Sequence, residues 1–168
     1  MSRDRRTGDG FALLACDLDG LKSVNDTYGH EAGDQVLRVA AERLRSCCRE
    51  VDTAARMGGD EFALILPGVS DPDDAALVAN RLIVALAAPI VVDGGSCSVG
   101  ASVGIALYPR DGQTAETLVR AADAAMYASK ASGGWARNSP PAGTRRHCAR
   151  HWGSSLRSRE RISPRKRH

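Results

Sequence analysis

Phe11-Ala12-Leu13-Leu14-Ala15-Cys16 is an unbroken apolar run that stops at Asp17-Leu18-Asp19-Gly20. With no polar residue at alternate positions, the segment reads as a strand buried on both faces. Such a strand needs cover above and below, so the rest of the chain must supply packed layers of helices and further strands. The acids at its end then sit where a buried element meets solvent.

The remaining patterns supply those layers. Gly33-Asp34 opens a helical stretch with Val36, Leu37, Ala40, Ala41, Leu44 and Cys48 on one face and Arg38, Glu42, Arg43 and Arg45 on the other. Thr53 to Met57 and Phe62 to Leu66 read as strands around a Gly58-Gly59-Asp60-Glu61 hairpin turn. Asp71-Pro72 starts the next helix, with Asp as N-cap, Pro at the first helical position, and Asp73 and Asp74 facing the positive end of the dipole. Pro89 stops it. Ile90 to Val92 and Val99 to Tyr108 flank Asp93-Gly94-Gly95 as a second hairpin-like pair. Thr114 caps a last helix to about Ser132, with a buried stripe of Leu118, Ala122, Ala125 and Met126, ended by Gly133-Gly134. The order β-α-β-β-α-β-β-α mixes hairpins with crossover helices. It predicts an α+β domain with a largely antiparallel sheet and helices packed on it.

Charge divides the chain. Residues 1–133 carry 13 basic and 19 acidic side chains, and residues 134–168 carry 10 basic and 1 acidic. A uniformly basic nucleic-acid-binding domain is therefore excluded. The segment after Gly134 has one Leu, one Ile, no Val and no Phe. It cannot bury enough apolar surface to offset the entropy of ordering, so disorder is expected there. Its arginines could hold a phosphate backbone, but without a binding fold it reads as a solvated extension, and no nucleic-acid partner is expected. The most apolar stretch, Leu82 to Val92, is interrupted by Pro89 and falls short of the roughly 20 residues of a membrane span. No apolar segment follows the N-terminus as in a signal peptide. The five cysteines (16, 47, 48, 97 and 148) show no CxxC, and Cys47 and Cys48 are adjacent. Free thiols and a cytoplasmic location are expected.

Two acidic clusters could carry chemistry. Asp17 and Asp19 end a buried strand, and Asp60 and Glu61 stand at a Gly-Gly hairpin tip. On neighbouring strands these carboxylates would converge and call for a divalent cation shared with substrate phosphates. The glycines would let a large ligand approach the backbone. Ordinary solvated turn acids fit the same spacing, and spacing alone leaves both readings open.

Gly58-Gly59-Asp60-Glu61-Phe62 spells GGDEF. Asp17-Leu18-Asp19-Gly20-Leu21-Lys22-Ser23-Val24-Asn25-Asp26 is similar to the DxDxFKxxND stretch that precedes that motif in GGDEF domains. Tyr28 to Asp34 resembles the family's GHxxGD, Ala101 to Ala106 its SxGIA strand, and Ala122 to Lys130 its ADxAMYxAK helix. These segments follow in family order across about residues 10–133, so the chain resembles a GGDEF domain.

The resemblance implies a nucleotidyl-cyclase or polymerase-palm fold, ferredoxin-like, over 11–133, after a short extension at 1–10 and before the basic tail at 134–168. It implies diguanylate cyclase activity, in which two GTP give cyclic di-GMP and two pyrophosphates. Asp17, Asp60 and the Leu18 carbonyl would hold Mg²⁺ (or Mn²⁺), and Asp60 would be the base beside the attacking 3′-hydroxyl. Glu61 would support a second metal or the phosphates, and Lys22 would stabilise phosphate charge. The backbone N–H groups of the Asp19 to Lys22 turn could cradle the β- and γ-phosphates at a helix N-terminus, with Gly58 and Gly59 lining the substrate. Asn25 and Asp34 would read the guanine edge, and Lys130 would contact the terminal phosphates. Arg49 and Asp52, in Arg49-Glu50-Val51-Asp52, match the family's RxxD product-inhibition site, where Arg can pair with guanine O6 and N7. A C-terminal helix Arg with a capping Asp is the plainer reading of that pair. Each half-site would hold one GTP, so catalysis would need a homodimer.

Other residues take plain readings: His30 a structural turn residue, and Met57, Met126 and Tyr127 core or near-core. Arg56 is either a nucleotide contact or an exposed strand residue. The chain departs from the family at both ends. Residues 1–10 lack a DxLTGLPNR-like segment, Gly134 stands where an Arg is expected, and no convincing strand follows. A truncated, marginally stable domain whose tail is not family sequence, read from a shifted frame or belonging to a gene fragment, is the expectation, and an inactive module that binds GTP or cyclic di-GMP is the alternative function.

Overall fold

The computed structural model describes residues 10–132. They form β1 (Phe11–Asp19), α1 (Leu21–Tyr28), α2 (His30–Ser46), β2 (Thr53–Gly58), β3 (Glu61–Pro67), α3 (Pro72–Ala87), β4 (Ile90–Val92), β5 (Gly95–Cys97), β6 (Gly100–Tyr108) and α4 (Ala115–Ser132). The expectations for residues 1–9 and for the segment from Gly133 onward, the missing helix, the missing strand and the basic tail, lie outside the described residues.

β1 is indeed a central strand. The sheet order is β2-β3-β1-β6, and every neighbouring pair is antiparallel. Alternation divides β1 between two cores. Ala12, Leu14, Cys16 and Leu18 pack with buried residues of α1, α2 and α3, including Val24, Val36, Leu44 and Leu82. Leu13 and Ala15 pack against Leu118, Ala122 and Met126 of α4. This is the antiparallel α+β arrangement expected from the mixture of hairpins and crossovers, in the ferredoxin-like form that the family resemblance implies.

Local signals account for most element ends. The Asp71 side chain accepts from the N–H groups of Asp73 and Asp74 at 2.7 and 3.4 Å, with Pro72 at the first helical position. The helix then stops at Ala87 because Ala88, before Pro89, is held in the extended region. Thr114 caps α4, accepting from Thr117 N–H at 3.2 Å. Two helix ends are closed from a distance. α3 has no basic residue in its last turn, and Arg43 of α2 reaches across to the carbonyls of Leu86, Ala88 and Pro89 at 3.2, 2.5 and 2.8 Å. Arg81 of α3 returns the contact, donating to Cys47 O at 2.7 Å at the end of α2. Each arginine brings positive charge to the negative end of the other helix.

Three expectations are corrected. Ile90 to Val92 pairs with β5, not with the strand from Val99 to Tyr108, because the Asp93-Gly94 turn closes a short hairpin of its own. That leaves β6 free to pair along the whole length of β1. The helical region before Gly33 is also longer than periodicity shows, since α1 precedes α2 and α2 begins at His30. Tyr127 is 66% exposed, on the solvent side of α4 rather than in the core. Met126 is buried, and Met57 is half-buried. Cys16, Cys47, Cys48 and Cys97 are free thiols. Burial first, then the charges of Asp17 and Asp19, pushes Cys16 up to about 12; burial, then Asp52, pushes Cys48 up to about 11. Among the described residues no helix is long and apolar enough to cross a membrane.

Candidate active site

The alternation that buries β1 also aims its terminal acids. Asp17 shares a face with Leu13 and Ala15, so its carboxyl points towards α4. There it meets Lys130, with Nζ 2.9 Å from Oδ1. Directly opposite Asp17 on β3 is Glu61, and on β6 it is Ser102. Cross-strand partners lie on one face, so all three point to the α4 side of the sheet. Ser102 donates its hydroxyl to Asp19 Oδ2 at 2.7 Å, which anchors the second acid of the strand end.

The hairpin brings Asp60 to the same place. β2 and β3 close through Gly59 and Asp60, with Gly58 opposite Glu61. Gly59 has φ +54°, a left-handed conformation that a side chain would strain. Arg56 donates from Nε to Gly59 O at 2.9 Å, so it braces the turn from within its own hairpin. Leu18 N–H donates to Asp60 O at 3.0 Å, tying the tip to the end of β1. Gly20, at φ +94°, turns the chain from β1 into α1, whose first turn carries the exposed Lys22.

The grouped acids and the lysine act on one another's charge. Burial raises the pKa of Asp17 above the ordinary carboxylate range, and the Asp60 and Asp19 charges add to it. Together they outweigh the hydrogen bond and charge of Lys130. Burial acts to lower the pKa of Lys130, but the Asp17 hydrogen bond and the charges of Asp17, Asp19 and Asp60 carry it upward. The pair therefore offsets only part of the cost of burying Asp17.

Asn25 and Asp34 are brought together by the α1–α2 packing. A Cβ on Gly33 would stand 1.8 Å from Asn25 Oδ1, so only glycine permits this approach. Asn25 Oδ1 is buried with no hydrogen-bond partner, while the neighbouring Asp34 is exposed. Arg49 and Asp52 lie elsewhere, beside Pro67 at the far end of β3, about 20 Å of strand from the hairpin tip. Arg49 Nη2 is 2.8 Å from Asp52 Oδ1 and donates to Pro67 O at 2.9 Å, and Asp52 also accepts from Arg49 N–H at 2.7 Å.

Two residues of this region escaped the sequence reading. Asp123 of α4 is 2% exposed, and its Oδ1 has no partner. Burial, and then the charge of Glu61, pushes its carboxyl up to about 7. The available signal was an acid directly beside the apolar stripe of a helix. Gly104 is the other. A Cβ there would stand 2.0 Å from Ala122 O and 2.3 Å from Met126 N, so the glycine sets how closely α4 rests on β6.

Among the described residues no three His, Cys, Asp or Glu side chains form a group able to hold a metal by themselves. The donors at the end of β1 suit a different arrangement. Mg²⁺ commonly takes one or two carboxylates and completes its shell with water and substrate phosphates. Asp17, Asp60 and a backbone carbonyl are such a set.

An antiparallel sheet that gathers carboxylates and a lysine at one end of its central strands has the frame of a nucleotidyl-cyclase palm. The chain belongs to the GGDEF family: the family model described as "Diguanylate cyclase, GGDEF domain" matches residues 1–135. It is 48% identical over 130 residues to the bifunctional diguanylate cyclase/cyclic di-GMP phosphodiesterase MucR of Pseudomonas aeruginosa, covering 77% of this chain and 18% of MucR. It is 44% identical over 121 residues to the diguanylate cyclase TpbB of the same species, covering 71% of this chain and 28% of TpbB. The chain thus spans less than a third of the length of these curated relatives. The crystal structure of the TpbB GGDEF domain superposes with a TM-score of 0.74 at 40% identity, covering 80% of this chain and 84% of that one. The GGDEF domain of DgcB from Caulobacter crescentus, solved in complex with cyclic di-GMP, superposes with a TM-score of 0.70 at 30% identity, covering 78% of each chain.

Proposed function

We propose that the chain is a diguanylate cyclase module that condenses two GTP into cyclic di-GMP with release of two pyrophosphates. The observation that carries this reading is the meeting of Asp17 and Asp60 at one end of the sheet, with Leu18 N–H on Asp60 O at 3.0 Å and Lys130 on Asp17. Solvated turn acids would not require a carboxyl buried beside a lysine, as Asp17 is, or a hairpin tip tied to the strand end, as Asp60 is.

Asp17, Asp60 and the Leu18 carbonyl would hold Mg²⁺ or Mn²⁺. When bound, the ion lowers the charge barrier to in-line attack and assists both the entering and the leaving oxygen. Asp60 takes the proton of the attacking 3′-hydroxyl. Lys22 and Lys130 neutralise the departing pyrophosphate, and Glu61 orients the phosphate end of the substrate from β3. The Gly20 turn and the N–H groups that open α1 cradle the β- and γ-phosphates, while Gly58 and Gly59 leave room beside the hairpin. Asn25 and Asp34 bind the guanine, the Asp carboxylate accepting from N1–H and N2–H, a donor pair that adenine lacks.

Each chain offers one such half-site, so two copies must face one another for the two bonds to form. Arg49 and Asp52, remote from this centre, form the product-inhibition site once the Arg49–Asp52 pair opens around cyclic di-GMP. GTP, the substrate, places the work in the cytoplasm.

The test is incubation of the purified chain with labelled GTP and Mg²⁺. Cyclic di-GMP that disappears in Asp60→Ala, with circular dichroism unchanged, is the expected result. Saturable GTP binding with no product would replace the cyclase by a binding module, and absence of both would refute the site.

A further inference from the structure

We infer that the Lys130 ammonium is a stand-in cation on Asp17, so that the lysine and a divalent ion compete for one carboxylate and nucleotide phosphates decide between them. The inference rests on the metal and phosphate roles proposed above and adds to them a coupling between the two ligands.

The asymmetry of the pair carries the argument. Lys130 Nζ is 2.9 Å from Asp17 Oδ1, with the lysine side chain 38% exposed and the Asp17 side chain 9%. The lysine can therefore swing into solvent, whereas the carboxylate is fixed to a central strand. An uncompensated charge on the buried Asp17 carboxyl is costly, with Asp19 at the same strand end and the hairpin tip of Asp60 tied beside it. A cation at Asp17 Oδ1 relieves that cost, and in the structure Lys130 supplies it. A divalent ion on Asp17 and Asp60 would stand within a few ångströms of the ammonium, where like charges repel strongly. The two cannot hold the same oxygen together. Nucleotide phosphates offer Lys130 another partner and so release Asp17 to the ion. By linkage, the ion and the nucleotide then tighten one another by the same factor. Without nucleotide, the lysine holds Asp17 and weakens metal binding there.

The experiment titrates Mn²⁺ into the full 168-residue chain without nucleotide and follows free Mn²⁺ by electron paramagnetic resonance. Lys130→Gln should bind Mn²⁺ more tightly than wild type, on the order of tenfold. Lys130→Met repeats the test with an apolar side chain, and each variant is first checked by circular dichroism. Lys22→Gln removes one positive charge from the same end of the sheet without touching Asp17, and should shift Mn²⁺ affinity much less. Asp17→Asn should weaken or abolish binding. Equal affinity in wild type and both Lys130 variants, including no binding to any, overturns the inference. So does an equal gain in Lys22→Gln, which would make the effect one of general charge. If Asp17→Asn binds Mn²⁺ as well as wild type, the metal site fails and the inference fails with it. Weakened Asp17→Asn beside unchanged Lys130 variants removes the stand-in role alone.

Discussion

Replacing Asp123 with asparagine should remove a pH-dependent cost that the native fold carries. Asp123 is 2% exposed and its Oδ1 is unpartnered, and burial followed by the Glu61 charge raises its carboxyl from 3.8 to about 7. The folded state therefore holds this proton more tightly than the unfolded chain does. Stability falls as pH rises from about 4, and the loss levels off above about 7. At about 1.4 kcal/mol per pKa unit, the cost is about 2 kcal/mol at pH 5 and about 4 kcal/mol at pH 8, so about 2 to 3 kcal/mol is lost between them. Asparagine has nearly the same shape and does not titrate here. Urea unfolding of wild type and Asp123→Asn at pH 5 and pH 8 reads the difference directly. Asp17, also shifted upward, is present in both proteins and cancels. The variant should gain about 2 to 3 kcal/mol on wild type between the two pH values. Parallel pH dependence in the two proteins would refute the assignment of a shifted, buried carboxyl at this position.

Gly104→Ala places a Cβ 2.0 Å from Ala122 O. It should cost about 3 kcal/mol in thermal or urea unfolding and also reduce turnover, because it displaces the helix that carries Lys130. Arg43→Ala removes three hydrogen bonds to the end of α3. It should cost roughly 2 kcal/mol of stability, read from the urea midpoint, with the GTP site unaltered. Arg49→Ala should leave initial turnover intact and abolish inhibition by added cyclic di-GMP. An unchanged inhibition midpoint would return Arg49–Asp52 to a plain structural pair.

Much of the frame was legible because it depends on neighbours in sequence. The Phe11–Cys16 run, the Gly58-Gly59 turn, the Asp71-Pro72 cap and the Thr114 cap are each encoded within a few residues, and each appears where expected. The β4–β5 hairpin was misjudged because three apolar residues before a Gly-Gly turn do not say how far the returning strand extends. Only the competition of β1 for β6 settles that. Periodicity does not register α1, since its eight residues hold just Leu21 and Val24 as buried anchors; only the family resemblance places a helix start at the Asp19 to Lys22 turn.

The identities and spacing of the site residues were a matter of sequence, down to the acids that end β1 and follow the glycines. That Asp17 and Asp60 meet was decided by tertiary structure, because strand order and register, not chain distance, bring a strand end against a hairpin tip. The same is true of Lys130, whose contact with Asp17 spans 113 positions and exists because Gly104 lets α4 lie close on the sheet. Asp123 is the sharpest case. As a letter it is one more acid on a helix, and only enclosure between that helix and the strands, beside Glu61, removes the water that would keep its carboxyl ordinary.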